Sequence, residues 1–283
     1  MYKFEYLSPS AIRKLPSYKF VCDFLIKTGR TQIGWHYVID LVWMHHVLHA
    51  LPSGAKILDA GGGVGPIQFL LAELGFNVIN VDLYFQKPAR SLMQRYSLKY
   101  ETNKDYEKTE YFTHLHNLDL NNKKSMLNSS MDFLRDIRYS CRHEMWARRN
   151  SIMSERGSIT WQASNLCDLS GIADDTFDAV TSLSALEHIP FDQLDKAANE
   201  IRRVAKKEAL WAVTTSASCN EASNYHEPSQ SHCFSDAELC EIFHCTTGKG
   251  SKEEVLAEYK NDYELKRNIA KFYKTSGNNG MPW

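Results

Sequence analysis

The sequence predicts an α/β fold, doubly wound around a mostly parallel sheet, with an N-terminal helical cap and a helical insertion. Two observations carry this. The run Ile57-Leu58-Asp59-Ala60-Gly61-Gly62-Gly63-Val64-Gly65-Pro66 reads as a buried strand, a glycine-rich turn and a helix start, and a second strand, Phe76–Val81, closes on Asp82. Beyond it, apolar strand-like runs keep alternating with helical periods as far as Thr214, the pattern of crossover units on a parallel sheet.

The bulk properties set the limits. A chain of 283 residues buries a full core and suits one α/β domain with additions. Hydrophobic content of 43% and charged content of 24% are those of a globular protein. A net charge of −1 argues against a general nucleic-acid or membrane-surface binder. There is no apolar run long enough for a transmembrane helix, and Met1–Glu5 lacks the pattern of a signal peptide. Seven cysteines without a C-x-x-C pair read as reduced thiols, so a cytoplasmic location is expected.

Residues 1–54 form the expected cap. Ser17 is positioned to cap a helix carrying Val21, Phe24 and Leu25 and ending at Gly29. A second helix runs from about Trp35 to Leu51, with Trp35, Val38, Ile39, Val42 and His46 on one face, broken by Pro52-Ser53-Gly54. In the central unit Pro66 suits the first helical position, Ile67, Phe69, Leu70, Leu71 and Leu74 make the apolar face, and Gly75 ends the helix. A short helix is expected around Ala89–Tyr100 and a loop-rich stretch over 101–131. Over 132–149, Leu134, Ile137, Cys141 and Met145 make an amphipathic helix whose other faces carry Arg135, Arg138, Arg142, Arg148 and Arg149. Those arginines read as a solvated face or as a basic wall for an anionic or sugar-like ligand. The unit 101–158 is thus an insertion within a domain made of 55–100 and 159–283.

Ile159–Ala163 is the third strand, Phe177–Ser182 the fourth and Ala209–Thr214 the fifth. Between the last two, Asp192–Lys206 is a helix with Leu194, Ala198, Ile201 and Val204 toward the sheet. Residues 216–234 are a polar loop at a strand's carboxyl end, where open α/β sheets place ligands. Ser235 caps a helix reaching about Cys245, a charged helix spans 251–266, and Ile269–Lys274 with Asn278-Asn279-Gly280 suggests late strands.

The spacing of the glycines decides the ligand class. A dinucleotide fingerprint needs glycine at the first, third and sixth positions; from Gly61 the sixth is Pro66, and from Gly62 the third is Val64. No Gly-Lys-Ser/Thr follows, so a phosphate loop is excluded too. What stands is Asp59-x-Gly61-x-Gly63-x-Gly65, with Asp82 lying 21 residues after Gly61. This resembles motif I of class I S-adenosylmethionine (SAM)-dependent methyltransferases. Phe177-Asp178-Ala179-Val180 with Leu186-Glu187-His188-Ile189 is similar to that family's motif IV and the turn after it.

The resemblance, covering roughly residues 55–215, implies a seven-stranded sheet and SAM as cofactor. By it Asp82 and Leu83 hold the ribose edge, the backbone of Gly61, Gly63 and Gly65 meets the amino-acid end, and Asp59 orients the turn or reaches the ammonium through water. Asn165 and Leu166 stand where an acid and the next backbone N–H meet adenine, with Asp168 as the alternative acid; Ser182 and Leu183 lie under the methionine chain. Trp35, His36 and Tyr37 would contribute either to an acceptor wall or to packing of the cap.

The expected activity is methyl transfer to a small molecule or saccharide, most readily at a hydroxyl. A homodimer is an open arrangement, and no nucleic-acid or membrane partner is expected. A hydroxyl acceptor benefits from a base, and His226, His188 and His232 are the candidates, in that order. A magnesium site at Glu187 or Asp168 stays open. His232, Cys233, Cys240, His244 and Cys245 match no zinc spacing, and no metal is expected there. Methylation of protein or nucleic acid is the alternative within the class. Ser182-Leu183-Ser184-Ala185, in place of an Asn/Asp-Pro-Pro-aromatic motif, argues against amino-methylation of bases. A non-catalytic SAM-fold partner is the alternative outside it.

Overall fold

The computed structural model describes residues 2–28, 35–63, 65–83, 96–102, 156–218, 220–248 and 250–263. Six strands form the main sheet: β2 (Lys56–Ala60), β3 (Asn77–Asp82), β4 (Lys99–Thr102), β5 (Ile159–Ala163), β6 (Phe177–Leu183) and β7 (Ala205–Thr214). Their order is β4-β5-β3-β2-β6-β7, and every pairing is parallel. From β2 the chain winds outward through β3 to β5, then crosses back to place β6 and β7 on the other side. The direction therefore reverses between β2 and β6, and a crevice opens there at the carboxyl ends. The doubly wound parallel sheet is as expected; the suggested late strands lie outside the described residues.

Strand alternation sorts the core into two layers. Ile57, Val78, Ile159 and Ala179 share one face, buried under α2 (Ser17–Lys27), α3 (Trp35–Leu48) and α4 (Pro66–Glu73). Leu58, Ala60, Val81 and Val180 share the other, under α5 (Phe191–Val204) and α6 (Asp236–Phe243). Helix α5 buries Leu194, Ala197, Ala198, Ile201 and Val204, and its basic last turn, Arg202 and Arg203, complements the helix dipole. The Arg203 guanidinium bonds Glu200, Asp174 and the carbonyls of Ile172 and Leu169, which fixes the β5–β6 connection onto that helix. Ser235 caps α6 by accepting from the Glu238 N–H, as expected.

Four expectations are corrected. Ser17 is the first residue of α2 rather than its cap, because its hydroxyl lies 2.8 Å from His45 Nδ1 instead of on a helix N–H. On α3 it is His45, not His46, that turns inward: α2 packs over that side, and His46 is exposed. Residues 99–102, expected as helix end and loop, are strand β4, since Lys99-Tyr100-Glu101-Thr102 finds an open edge on β5. Strand β7 starts at Ala205, directly after α5, so the helix stops before Lys206. The arginine-bearing helix over 132–149, most of the helix at 89–100, and Gly29 lie outside the described residues.

Two pieces were not foreseen. Strand β1 (Tyr2–Phe4) pairs in parallel with β10 (Cys245–Thr247), and β8 (Asn224–His226) forms a hairpin with β9 (Ser231–Cys233). Helix α1 (Pro9–Arg13) and α7 (Lys252–Asn261) then clasp each other: Ser8 donates to Glu258 at 2.7 Å, the Tyr259 hydroxyl donates to the Leu7 carbonyl at 2.8 Å, and Arg13 meets Asp262. The N-terminal segment and residues 245–262 are thereby tied together.

Ile201 is fully buried against the sheet. Ile201→Ala is expected to cost about 2–5 kcal/mol, read as a lower denaturant midpoint with an unchanged slope.

Candidate active site

One register row explains where the glycine turn sits. Thr181, Asp59, Asn80 and Trp161 are neighbours across β6, β2, β3 and β5, one step above the apolar row of Ala179, Ile57, Val78 and Ile159. All four are fully buried. Thr181 donates to Asp59 Oδ1 at 2.9 Å, and Asn80 Nδ2 donates to the Gly63 carbonyl at 2.8 Å. Trp161 Nε1 donates to Gln68 Oε1, and Gln68 Nε2 reaches the carbonyls of Gly63 at 3.0 Å and Gly65 at 3.2 Å. From the end of β3, Asp82 Oδ2 accepts the Gly63 N–H at 2.9 Å.

Glycine is required in the turn for two separate reasons. Gly61 and Gly63 have φ of +71° and +47°, where side chains are strained. A Cβ on Gly62 would lie 2.0 Å from Asp59 Oδ2, and one on Gly61 would lie 2.6 Å from Ala185 Cβ. The turn is thus wedged between the buried acid of β2 and the segment after β6, and its bare backbone forms the surface.

Asp59 Oδ2 has no hydrogen-bond partner among the described residues. Burial pushes this carboxyl up to about 7; the Thr181 bond opposes the rise and nearby Asp82 adds to it. Leu83, just past β3, is 40% exposed. Asn165 Oδ1 accepts the Cys167 N–H at 2.9 Å, forming a local turn, and Leu166 is buried within reach of Gly61. Asn165 and Asp168 line a cavity of about 390 Å³ with Gln162, Gln193 and Lys196. Asp168 Oδ1 accepts the Ser170 N–H at 3.2 Å, and the Ser170 side chain together with this backbone bond lowers its carboxyl below the ordinary value. The Ser182 hydroxyl is buried without a partner among the described residues, and Leu183 ends β6. The expected cofactor residues therefore converge on the carboxyl ends of β2, β3, β5 and β6. A side-chain-free turn beside an acid-terminated strand fits a ligand with an amino-acid chain and a sugar.

A second cavity, about 960 Å³, opens between α3, the end of β7, the β1 segment and α7. Of the three histidines, only His188 lines it. His188 Nδ1 lies 2.9 Å from the Gln230 carbonyl. A carbonyl only accepts, so Nδ1 is the donor there, and in the neutral ring that leaves Nε2 as the acceptor. His226 bonds Ser229 at 2.6 Å within the hairpin, and His232 is held among Phe191, Tyr225 and Phe234. His36 and Tyr37 of the cap do line the cavity, with ring centroids 4.2 Å apart, and burial lowers His36 to about 4. Of the cysteine and histidine positions near the tail, His244 is the αL cap of α6, and no metal-holding group is found among the described residues.

Sequence reading did not single out Asp40 or Ser184. Asp40 is a lone acid in the apolar stretch of α3, and that contrast was the available signal. Ser184 takes a left-handed conformation, φ 47°, which nothing in its residue type announces.

Over residues 35–246 the sequence matches the family model described as a methyltransferase domain. The chain belongs to this methyltransferase family. It is an enzyme, and SAM is its methyl donor. No curated protein matches the methyltransferase. Among solved structures it is similar to a SAM-dependent methyltransferase from Methanosarcina mazei, at 18% identity over 71% of this chain and 81% of that one, TM-score 0.40. It is also similar to Burkholderia thailandensis 1,6-didemethyltoxoflavin-N1-methyltransferase (15%, 86% and 80%, TM-score 0.41). A third likeness is to Haemonchus contortus phosphoethanolamine N-methyltransferase 2 (13%, 96% and 56%, TM-score 0.44).

The Asp59 carboxyl has a clear pH signature. Its folded-state value lies above the ordinary one, so stability is fully present below about pH 4 and is lost as pH rises toward about 7. Asp59→Asn removes that loss. The melting temperature of the variant relative to the parent is expected to rise across this window, read by thermal unfolding without cofactor; parallel profiles would contradict it.

Proposed function

We propose that this methyltransferase transfers the SAM methyl group to a hydroxyl of a small molecule or saccharide seated in the larger cavity, with His188 as base. The observation that carries the reading is the segment after β6. Ala185 abuts the glycine turn, while Ser184, Glu187 and His188 line the cavity. One short stretch thus borders both the donor side and the acceptor side.

On the donor side, Asp82 and Leu83 take the ribose edge of SAM, and the backbone of Gly61, Gly63 and Gly65 takes the amino-acid end. A carboxylate accepts several donors, so the Gly63 bond and a ribose contact are compatible at Asp82. Asn165 presents its amide beside Leu166 to adenine, and Ser182 and Leu183 underlie the methionine chain. Asp59 holds the turn from below. SAM supplies an activated methyl group on a sulfonium; the protein's part is to hold the acceptor oxygen in line behind it and exclude water.

On the acceptor side, Nε2 of His188 takes the hydroxyl proton as the new carbon–oxygen bond forms. His226 and His232 have no comparable access. An anionic acceptor was suggested by the arginines of 132–149, which lie outside the described residues; the described wall carries carboxyls instead.

Asp82→Ala is expected to weaken SAM binding severely by calorimetry, and unchanged affinity would reject the donor site. His188→Ala is expected to lower S-adenosylhomocysteine formation about 10²-fold or more with SAM affinity retained, and the same change at His226 or His232 to cost far less.

A further inference from the structure

The larger cavity holds two buried acids. Asp40 comes from α3 and is 8% exposed; Glu187 follows β6 and is 2% exposed. Both line the cavity. Glu187 Oε2 is buried with no hydrogen-bond partner among the described residues, while Oε1 has only a long 3.4 Å bond from Ser216. Burying an acid without a partner is costly unless a ligand completes it.

The cavity's cations do not complete it. Lys252 Nζ is 3.0 Å from Asp236 and lies over the Tyr6 ring at 5.5 Å; Lys3 is exposed. His36 is held neutral by burial. His188 lies close enough to Glu187 to favour its charge, but its Nδ1 proton is committed to Gln230. Among the described residues no lysine or arginine pairs with Asp40 or Glu187. Burial raises both carboxyls; nearby Glu187 adds to the rise at Asp40 and Thr214 opposes it, while at Glu187 its own backbone N–H, then His188, Thr215 and Ser216, oppose it. Tyr37, Trp43 and Tyr6 add aromatic surface to the same cavity. Acids facing one cavity among aromatic rings form a seat for a positive charge.

We infer that the acceptor carries an ammonium group, bound between Asp40 and Glu187, while its hydroxyl faces His188. This rests on the reading of the cavity as the acceptor site and narrows the acceptor to an amino alcohol or amino sugar.

The test uses the full chain loaded with S-adenosylhomocysteine and two matched probe pairs: glucosamine with glucose, and 2-phenylethylamine with 2-phenylethanol. At least one amine is expected to bind at least tenfold more tightly than its neutral counterpart, by calorimetry or ligand-observed NMR. Asp40→Asn with Glu187→Gln is expected to remove that tenfold preference while S-adenosylhomocysteine still binds, which shows that the variant is folded. Equal binding of both members in each pair, amine preference that survives the double variant, or failure of both amines to bind would overturn the inference. If S-adenosylhomocysteine itself fails to bind the parent chain, the donor-site reading falls instead, so the two failures are separable.

Discussion

The structure depends on one layer of polar side chains laid across four strands. Thr181, Asp59, Asn80 and Trp161 occupy the same register step, immediately above a layer that is wholly apolar. A polar layer in a sheet core is tolerated only if its groups find partners. Here most partners are supplied by the glycine turn and by Gln68 of α4, so satisfying the layer and shaping the turn are the same event. Asn80 and Gln68 both bond the Gly63 carbonyl, and Asp82 bonds its N–H. Gly63 is therefore held from three directions, and a loop that would otherwise be the most mobile part of the fold becomes a fixed surface. Two oxygens of the layer, Asp59 Oδ2 and Asn80 Oδ1, are buried without a hydrogen-bond partner among the described residues. Burial raises the Asp59 carboxyl, and its Oδ2 lies so close to Gly62 that a Cβ there is not tolerated.

The same geometry sets the glycine turn beside the segment that enters the larger cavity. Parallel strands that reverse their winding direction leave a crevice between β2 and β6. The turn after β2 fills one wall and the turn after β6 the other, and they meet where Ala185 would clash with any side chain at Gly61. Ser184 accepts a left-handed backbone at this junction, with its N–H bonded to the Thr214 carbonyl. Strain of this kind persists when neighbours over-determine the backbone, and here β7 does so. The residues after Ser184 then diverge, Ala185 toward the turn and Glu187 toward the cavity under α3.

How much was legible in the sequence follows from whether the signal was local. The strand, turn, helix and acid of residues 57–82 could be read because each step has its own residue chemistry: apolar run, glycines, Pro66, periodic leucines, Asp82. Helix α5 was legible for the same reason. Strand β4 was not, because four residues with mixed polarity become a strand only when β5 offers an edge. The pairing of β1 with β10 joins residues 2–4 to residues 245–247, and no local pattern announces a contact of that span. His45 and His46 differ only in which side α2 covers, and periodicity alone does not choose between them. Among the three histidines, location in a polar loop favoured His226, whereas a backbone carbonyl at Gln230 and a place in the cavity wall favour His188. That distinction exists only in three dimensions.

Electrostatics limits where negative charge can sit in such an enzyme. SAM carries a sulfonium that disappears as the methyl leaves, so a carboxylate held against the sulfur would stabilise the ground state more than the transition state and slow the reaction. Buried acids near this chemistry must therefore lie away from the sulfur, be neutral, or face a cation that persists throughout. Asp59 satisfies the condition by lying beneath the turn, with a carboxyl that burial brings near neutrality. Asp40 and Glu187 satisfy it differently. They line the larger cavity, and burial favours their protonated forms. An ammonium seated there would draw out the charge of one of them only once the acceptor is in place. Its single positive charge is then matched by that one carboxylate, leaving the hydroxyl and the sulfonium in surroundings of little net charge. A neutral acceptor would leave the acids protonated and the pocket equally uncharged, but without the attraction that selects it.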